Sequence, residues 1–592
     1  MRRYNLLKRQ FSRRAFMIGS FQASVFVALA SRLYDMQVIG HEHYRLLAAD
    51  NAIRTRPILP PRGFITDRRG SLLATNHLQW RALFLMTSSP DPLKTLMRAA
   101  DLLRLPDSKR DDFIELARGP RHYLPVLLLE NLDWRQTAIL EANSIFLPGI
   151  TIDQGYNRFY PLGAVSAHTI GYVIRPSAAL AQKDPIYGLP GARVGGSGVE
   201  LARNNTLLGQ AGLIADEVDA GGRIVRNIKN IAPVQGQTVQ LTLDAGLQKT
   251  ASSLLAGRPG AAILLDARQG DLLAMASAPS FDPHWFDQGV PNAIWQGWNK
   301  PQSHQPLINR CTDGLYAPGS SFKPTAALAA LQCGGISAET HFFCSGHMKI
   351  GDRIFYCWKR SGHGLINVVQ AIQQSCDIFF YHVALKIGIN HMATMGHLLG
   401  LASPINIGLP DIDSGFLPTT GWAKTHAVDW TEGDTAIQGI GQGYTVLTPL
   451  SLAIMAARIA TGRHVQPRLY ANAPLVECPD LPLSQPHLQL VRAGMSDVVN
   501  TPLGTAWGGR FLTKNIKMAG KTGTAQVFGE SSAMEAEDYN DADLPWNKRP
   551  NALFIAYAPI ETPAFAAAVL VEHGTLLDPV NIAAGLFDAV LS

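Results

Sequence analysis

Apolar and polar positions along the 592-residue chain change texture three times. Residues 15–31 (AFMIGSFQASVFVALAS) carry no charge and are mostly apolar. As a helix rising about 1.5 Å per residue they cover roughly 26 Å, slightly short of a hydrocarbon core of about 30 Å. Arg14 and Arg32 would then reach towards the interfaces, or the span would run on towards Ile39. Residues 51–76 read as an extended lead-in, a Pro-Pro break and a short hairpin turning at Asp67-Arg68-Arg69-Gly70. Residues 90–145 read as helical and residues 151–235 as Gly-rich with short strands. From about residue 236, residues 238–243 alternate as a strand and residues 244–255 read as a helix capped by Asp244. Residues 261–266 and 272–276 flank the turn Ala267-Arg268-Gln269-Gly270. At the far end, residues 553–557 and 565–572 flank Pro559-Ile560-Glu561-Thr562, and residues 580–591 close the chain as a helix. Strands at both ends of this region with helices between predict one antiparallel sheet covered by helices, an α+β fold.

At 46% hydrophobic and 17% charged residues the chain buries a large core, which excludes a disordered tail, a coiled coil or a disulfide miniprotein. The formal charge is 52 − 46 = +6, and residues 1–14 carry Arg2, Arg3, Lys8, Arg9, Arg13 and Arg14 with no acid. The remainder is balanced, which argues against a nucleic-acid surface. A basic block ahead of the apolar run places the N-terminus inside and the bulk outside, with the expected order 1–14 cytoplasmic tail, 15–38 transmembrane anchor, 40–235 pedestal and 236–592 catalytic domain. A cleaved signal peptide competes with the anchor, because Ala28-Leu29-Ala30 resembles a cleavage site and Ser12-Arg13-Arg14-Ala15-Phe16 a twin-arginine signal.

Ser320-Ser321-Phe322-Lys323 precedes an Ala/Leu-rich stretch, residues 325–331, that reads as a helix. At a helix start, positions i and i+3 share a face, so Lys323 can reach the Ser320 hydroxyl, which would not ionise unaided. Alone, a serine and a lysine one turn apart describe a capped helix with a solvated lysine. They are followed by Ser375-Cys376-Asp377 at the end of the helical run 368–374, and by Lys521-Thr522-Gly523-Thr524 within the strand-like residues 518–527. The order matches the S-x-x-K, S-D-N and K-T-G set of penicillin-binding proteins and serine β-lactamases, loosely at the middle element. Gly523 lets a substrate backbone lie against the strand.

Over nearly its full length the chain resembles the class B penicillin-binding proteins, and among them the elongation branch called penicillin-binding protein 2. Shared stretches include Pro61-Arg62-Gly63, Arg158-Phe159-Tyr160-Pro161 with His168 and Gly171-Tyr172, and Gly198-Val199-Glu200 followed by Gly209 and Gly212. In the catalytic region, Tyr316-Ala317-Pro318-Gly319-Ser320, Ile440-Gly441-Gln442-Gly443 with Thr448-Pro449-Leu450, and residues 519–526 follow the same pattern. Two positions depart from it: Asp377 stands where most relatives outside the branch have Asn, and Asn551 where His is expected. The resemblance implies a peptidoglycan D,D-transpeptidase. Ser320 would be the nucleophile, Lys323 the base, and Ser375 with Lys521 a proton relay. Backbone N–H groups of Ser320 and Thr524 would form an oxyanion hole, Thr522 and Thr524 would hold the terminal carboxylate along the Gly523 strand, and Asp377 would orient the donor peptide. Implied partners are peptidoglycan stem peptides, β-lactams that trap Ser320, and a RodA-type SEDS glycan polymerase; the implied location is the inner membrane, with the catalytic domain in the periplasm. The alternatives are the septal paralogue, a β-lactam sensor or hydrolase, and a silent scaffold.

Of six cysteines, Cys344, Cys357 and Cys376 crowd with His363 into 33 residues rich in turns. Cys3His is a complete tetrahedral zinc set, although its spacing is looser than that of CxxC knuckles. With four protein ligands the zinc would be structural, a staple behind Ser375 and Asp377. A Cys344–Cys357 disulfide or buried free thiols are the other readings. Members of the elongation branch carry a metal site near the same loop, which favours zinc. Cys311, Cys333 and Cys478 are expected in the core; His41, His43 and His168 are read as surface or core residues, and Glu535 to Asp543 as an exposed loop.

Overall fold

Five antiparallel strands organise the C-terminal region of the computed structural model, which describes residues 2–39, 53–119, 125–218, 224–410, 412–509, 516–527 and 544–592. Their order across the sheet is Leu272–Ala278, Gly260–Asp266, Phe565–Val571, Asn551–Ala558, Ala519–Ala525, so the first and last strands of the region meet at its centre as the pattern predicts. The strands from 260 to 266 and 551 to 558 are buried at every position, a near-continuous apolar run of the kind that forms when helices cover both faces. Helix Pro449–Thr461 packs on Phe565–Val571, while Ala245–Leu255 and Asp578–Leu591 pack against Leu272–Ala278 and Phe565–Val571 respectively. Asp244 caps its helix as expected, accepting from the Gly246 and Leu247 N–H groups at 2.9 and 3.1 Å. Ala519–Ala525 is an edge strand, and its outer side has no strand partner among the described residues.

The chain divides into two units: Met1–Pro60 with Gln210–Val234, and Pro61–Gly209 with Gln235–Ser592. Residues read as one pedestal are thus shared between them. In the first unit, strands Ile53–Ile58, Gly212–Val218 and Ile224–Ile231 form a sheet, and residues Arg13–Ile39 form one helix long and apolar enough to cross a membrane. In the second, the long strand Leu72–Phe84 pairs with Val126–Leu132 and Ile150–Phe159. Val126–Leu132 corrects the helical reading of residues 90–145. Its four-residue apolar run Val126-Leu127-Leu128-Leu129 has no helical period and is only as long as a strand, and a partner distant in sequence settles its state. The flanking helices Pro92–Leu103, Asp107–Arg118 and Trp134–Ala142 do form, around a separate core of Phe84, Leu96, Phe113, Leu132 and Leu140. The expected strand at 238–243 shortens to Val239–Gln240, which pairs in parallel with Ile65–Thr66.

Three of the family-like stretches converge on one buried carboxylate. Arg62 Nε and Arg158 Nε donate to the two oxygens of Glu200 at 2.7 and 2.6 Å, and Glu200 is fully buried. Burial alone would raise this carboxyl; the Arg158 and Arg62 guanidiniums hold it below its ordinary value. The sequence-distant segments carrying these residues are held together by charges that cannot part without leaving one unpaired in the interior.

Candidate active site

Ser320 lies in the short 3-10 turn Gly319–Phe322 that runs into helix Lys323–Gln332. Gly319 has φ +51°, and a Cβ there would stand 2.3 Å from the Thr524 carbonyl oxygen; at Gly523 it would stand 2.7 Å from the Pro318 carbonyl oxygen. Only glycine at both positions lets the turn bearing Ser320 press against the edge strand, which is how Ser320 comes beside Thr524. The Gly319 N–H donates to the Gly441 carbonyl at 2.9 Å, and Gln442 Nε2 donates to the Thr524 carbonyl at 3.2 Å, so the glycine-rich stretch 440–443 clamps both elements. Ser320 is half-buried.

Helix Val368–Gln373 ends just before Ser375, which adopts φ +54°, the left-handed conformation that commonly stops a helix. Cys376 then caps helix Asp377–Ile387, its sulfur accepting from the Phe379 N–H at 3.5 Å. The kink aims the Ser375 hydroxyl between two fully buried lysines. Lys323 Nζ donates to Ser375 Oγ at 3.1 Å and Lys521 Nζ donates to it at 3.0 Å. Lys323 Nζ also donates to the Ser375 carbonyl at 2.8 Å and to Asp377 Oδ1 at 2.7 Å. The four expected groups Lys323, Ser375, Asp377 and Lys521 are therefore in contact. Two details differ from the sequence reading: the hydrogen bonds of Lys323 go to Ser375 and Asp377 rather than to Ser320, and Asp377 is an ion-pair partner inside the site.

Burial, followed by the neighbouring Lys323 ammonium, pushes Lys521 well below the ordinary lysine range. The two lysine side chains, joined through one hydroxyl, form a path along which a proton can pass in either direction. Thr522 is buried, with its hydroxyl against Thr505 at 2.7 Å, whereas Thr524 is exposed; of the two threonines expected to hold a carboxylate, only Thr524 faces solvent. Sequence reasoning also missed the support beneath the nucleophile turn. Tyr316 Oη and Arg310 Nε donate to Glu572 Oε1 at 2.7 and 2.8 Å, tying the residues before Ser320 to the end of strand Phe565–Val571. Tyr316 belongs to a motif quoted above, but nothing local to Glu572 marks it.

Behind Ser375, the ligand atoms of Cys344, Cys357, His363 and Cys376 all lie within 4.8 Å of one another. His363 Nδ1 is 3.5 Å from Cys344 Sγ and 3.6 Å from Cys357 Sγ. A zinc ion at about 2.3 Å from sulfur and about 2.0 Å from nitrogen spaces its tetrahedral ligands by about 3.5 Å, so these residues fit that ion. Hydrogen bonding from Cys376, against burial and with help from His363, draws the Cys344 and Cys357 thiols below their ordinary value. All six cysteines are free, so the Cys344–Cys357 disulfide is not formed. Cys311 and Cys478 are buried as expected, but Cys333 is exposed, because it follows the end of helix Lys323–Gln332 where the chain turns outwards. His168 has its Nε2 atom buried. His41, His43 and Glu535 to Asp543 lie outside the described residues.

A serine, two buried lysines and a bridging serine beside a glycine-bearing edge strand define a serine acyl-transferase of the penicillin-binding class. The family model for the penicillin-binding protein transpeptidase domain matches residues 260–592, and that for the penicillin-binding protein dimerisation domain matches residues 57–241. Peptidoglycan D,D-transpeptidase MrdA of Salmonella typhimurium is 34% identical over 586 residues, covering 95% of this chain and 93% of that protein. Among solved structures, the complex between PBP2 and MreC from Helicobacter pylori aligns with a TM-score of 0.80 at 28% identity, covering 91% of this chain and 99% of that one. A structure titled for the coordination of polymerization and crosslinking by a peptidoglycan synthase complex aligns at 0.70 and 27%, covering 97% and 98%. The chain belongs to the class B penicillin-binding proteins of the PBP2 type.

Proposed function

We propose that this chain cross-links peptidoglycan during cell elongation as a serine D,D-transpeptidase, with Ser320 as nucleophile. Ser320 Oγ attacks the carbonyl between the two terminal D-alanines of a stem peptide. The new C–O bond replaces the C–N bond, D-alanine leaves as the free amine, and the proton of Ser320 passes through Lys323, Ser375 and Lys521 to that amine. An amine from a neighbouring stem peptide then attacks the acyl carbon, the C–O bond breaks, and the proton returns to Ser320. The observation that carries this reading is the Ser375 hydroxyl, 3.1 and 3.0 Å from the Nζ atoms of two fully buried lysines, which is a relay without an evident structural purpose. Backbone N–H groups of Ser320 and Thr524 supply the oxyanion hole, and the open edge at Gly523 and Thr524 takes the donor peptide as an added strand.

Cys344, Cys357, His363 and Cys376 would hold one structural zinc, which would fix the segment bearing Ser375 and take no part in the chemistry. The basic block before the apolar helix supports an inner-membrane anchor with the catalytic part in the periplasm. An MreC-like protein is the partner that one aligned complex supports, and a RodA-type polymerase is the partner the family resemblance implies, in keeping with the polymerization for which the other is titled. The test is the intact mass of the purified protein after exposure to benzylpenicillin, with Ser320→Ala as control. A stable single adduct absent from the control is expected. No adduct, or one lost within minutes, overturns the transpeptidase reading.

A further inference from the structure

Trp358 follows Cys357 on the chain and makes three hydrogen bonds to the turn that carries Ser375. Its backbone N–H donates to Asp377 Oδ2 at 2.9 Å, and its indole N–H is shared between the Gln374 carbonyl at 3.0 Å and the Ser375 carbonyl at 3.1 Å. Trp358 is 58% exposed, so more than half of the residue faces solvent although its N–H groups are turned to the Ser375 turn. Its ring stands edge-on to His363 at 5.6 Å. Two of the groups it meets, the Ser375 carbonyl and the Asp377 carboxylate, are also met by Lys323. Lys323 Nζ holds the Ser375 carbonyl at 2.8 Å and Asp377 Oδ1 at 2.7 Å, while also reaching Ser375 Oγ at 3.1 Å. The Ser375 carbonyl and the Asp377 carboxylate thus each have one donor from Lys323 and one from Trp358.

We propose that Trp358 is a positioning residue for acylation: by sharing these two acceptors with Lys323 it keeps the turn in its left-handed conformation and leaves the third hydrogen bond of Lys323 free for the Ser375 hydroxyl. Ser375 at φ +54° occupies a conformation that a serine adopts at a cost, so it persists only where its surroundings fix it. Without the indole donor, Lys323 is drawn towards the carbonyl, and Ser375 Oγ loses its alignment between Lys323 and Lys521. The substrate is not touched in this account, so the effect falls on the chemical step and not on binding. The inference rests on Ser320 as the acylated nucleophile.

The test compares wild type and Trp358→Phe as full chains in detergent, measuring the acylation rate constant k2 and the dissociation constant K of the preceding complex with a fluorescent penicillin, together with thermal midpoints. The expected result is k2 lowered about five- to tenfold, the scale of one lost hydrogen bond, with K and the titratable fraction of Ser320 unchanged. An unchanged k2, or a raised K with unchanged k2, overturns the inference; the second result would make the ring a wall of the ligand site instead. If Trp358→Phe lowers the midpoint, replacing the residue by its benzothiophene analogue, with sulfur for the indole N–H, separates donor from shape. The same fall in k2 is then expected, and wild-type k2 overturns the proposal. Absence of acylation in wild type would fail the transpeptidase reading itself and is distinguishable from each of these results.

Discussion

Lys521→Met removes the amine from the relay while keeping an unbranched apolar stem out to the Cε position. The wild-type amine is fully buried and donates to Ser375 Oγ at 3.0 Å and to the Thr522 carbonyl at 3.0 Å. Ser375 Oγ keeps Lys323 after the change, so one carbonyl loses its donor, at a cost of about 1–3 kcal/mol. Against this stands the removal of an amine whose protonation burial opposes. The net loss in stability at neutral pH is therefore expected to be smaller than that cost. Catalysis has no such offset: a proton-transfer group contributes about 10²–10⁴-fold, so acylation by a fluorescent penicillin should fall by that factor. The pH dependence of stability carries a second signature. Because the folded site holds Lys521 below its ordinary value, the unfolded chain binds the extra proton between that lowered value and about 10.4, and wild-type stability gains with rising pH across the window. Lys521→Met should lack this gain. The assay pairs acylation rates with thermal midpoints between pH 7 and 10. Acylation within tenfold of wild type, or an unaltered stability profile, would refute the relay and the buried-amine argument respectively.

Two further outcomes are expected. Cys376→Ser should abolish a stoichiometric zinc content measured by elemental analysis, lower the thermal midpoint by about 5–10 °C and slow acylation with the Ser320 nucleophile intact; wild type free of zinc together with an unchanged variant would sink the metal site. Burial lowers His168 from 6.5 to about 4, so the folded state resists the proton that the unfolded chain takes up. Stability contributed by neutral His168 is complete above about pH 6.5 and is lost as pH falls towards 4, by up to roughly 3 kcal/mol. A comparison of midpoints from pH 7 to 4 should show a shallower decline in His168→Gln, and parallel profiles would contradict the assignment.

The motifs of the site were legible because each depends on a local pattern: S-x-x-K at a helix start and K-T-G on a strand whose glycine admits a neighbouring backbone; the gathering of Cys344, Cys357, His363 and Cys376 was legible from their crowding into 33 residues. The hairpins 260–278 and 551–571 were legible for the same reason, since a turn between two apolar runs encodes its own pairing. Val126–Leu132 was not, because seven residues without a period take their state from a distant partner. Asp377 was read as a substrate contact, since the sequence does not show that Lys323 stands 2.7 Å from it.

By itself, then, the sequence determined the class of chemistry, the motifs that single out Ser320, Lys323, Ser375 and Lys521, and the order of the elements that carry them. Only the tertiary structure decided how charge is shared within the site. Whether Lys323 pairs with Asp377, whether Lys521 is pressed towards its neutral form, and whether Glu200 is held ionised by Arg62 and Arg158 all depend on burial and on distances of about 3 Å between residues far apart in the chain. Electrostatic energy falls with separation and rises with exclusion of water, and neither quantity is a property of any one segment.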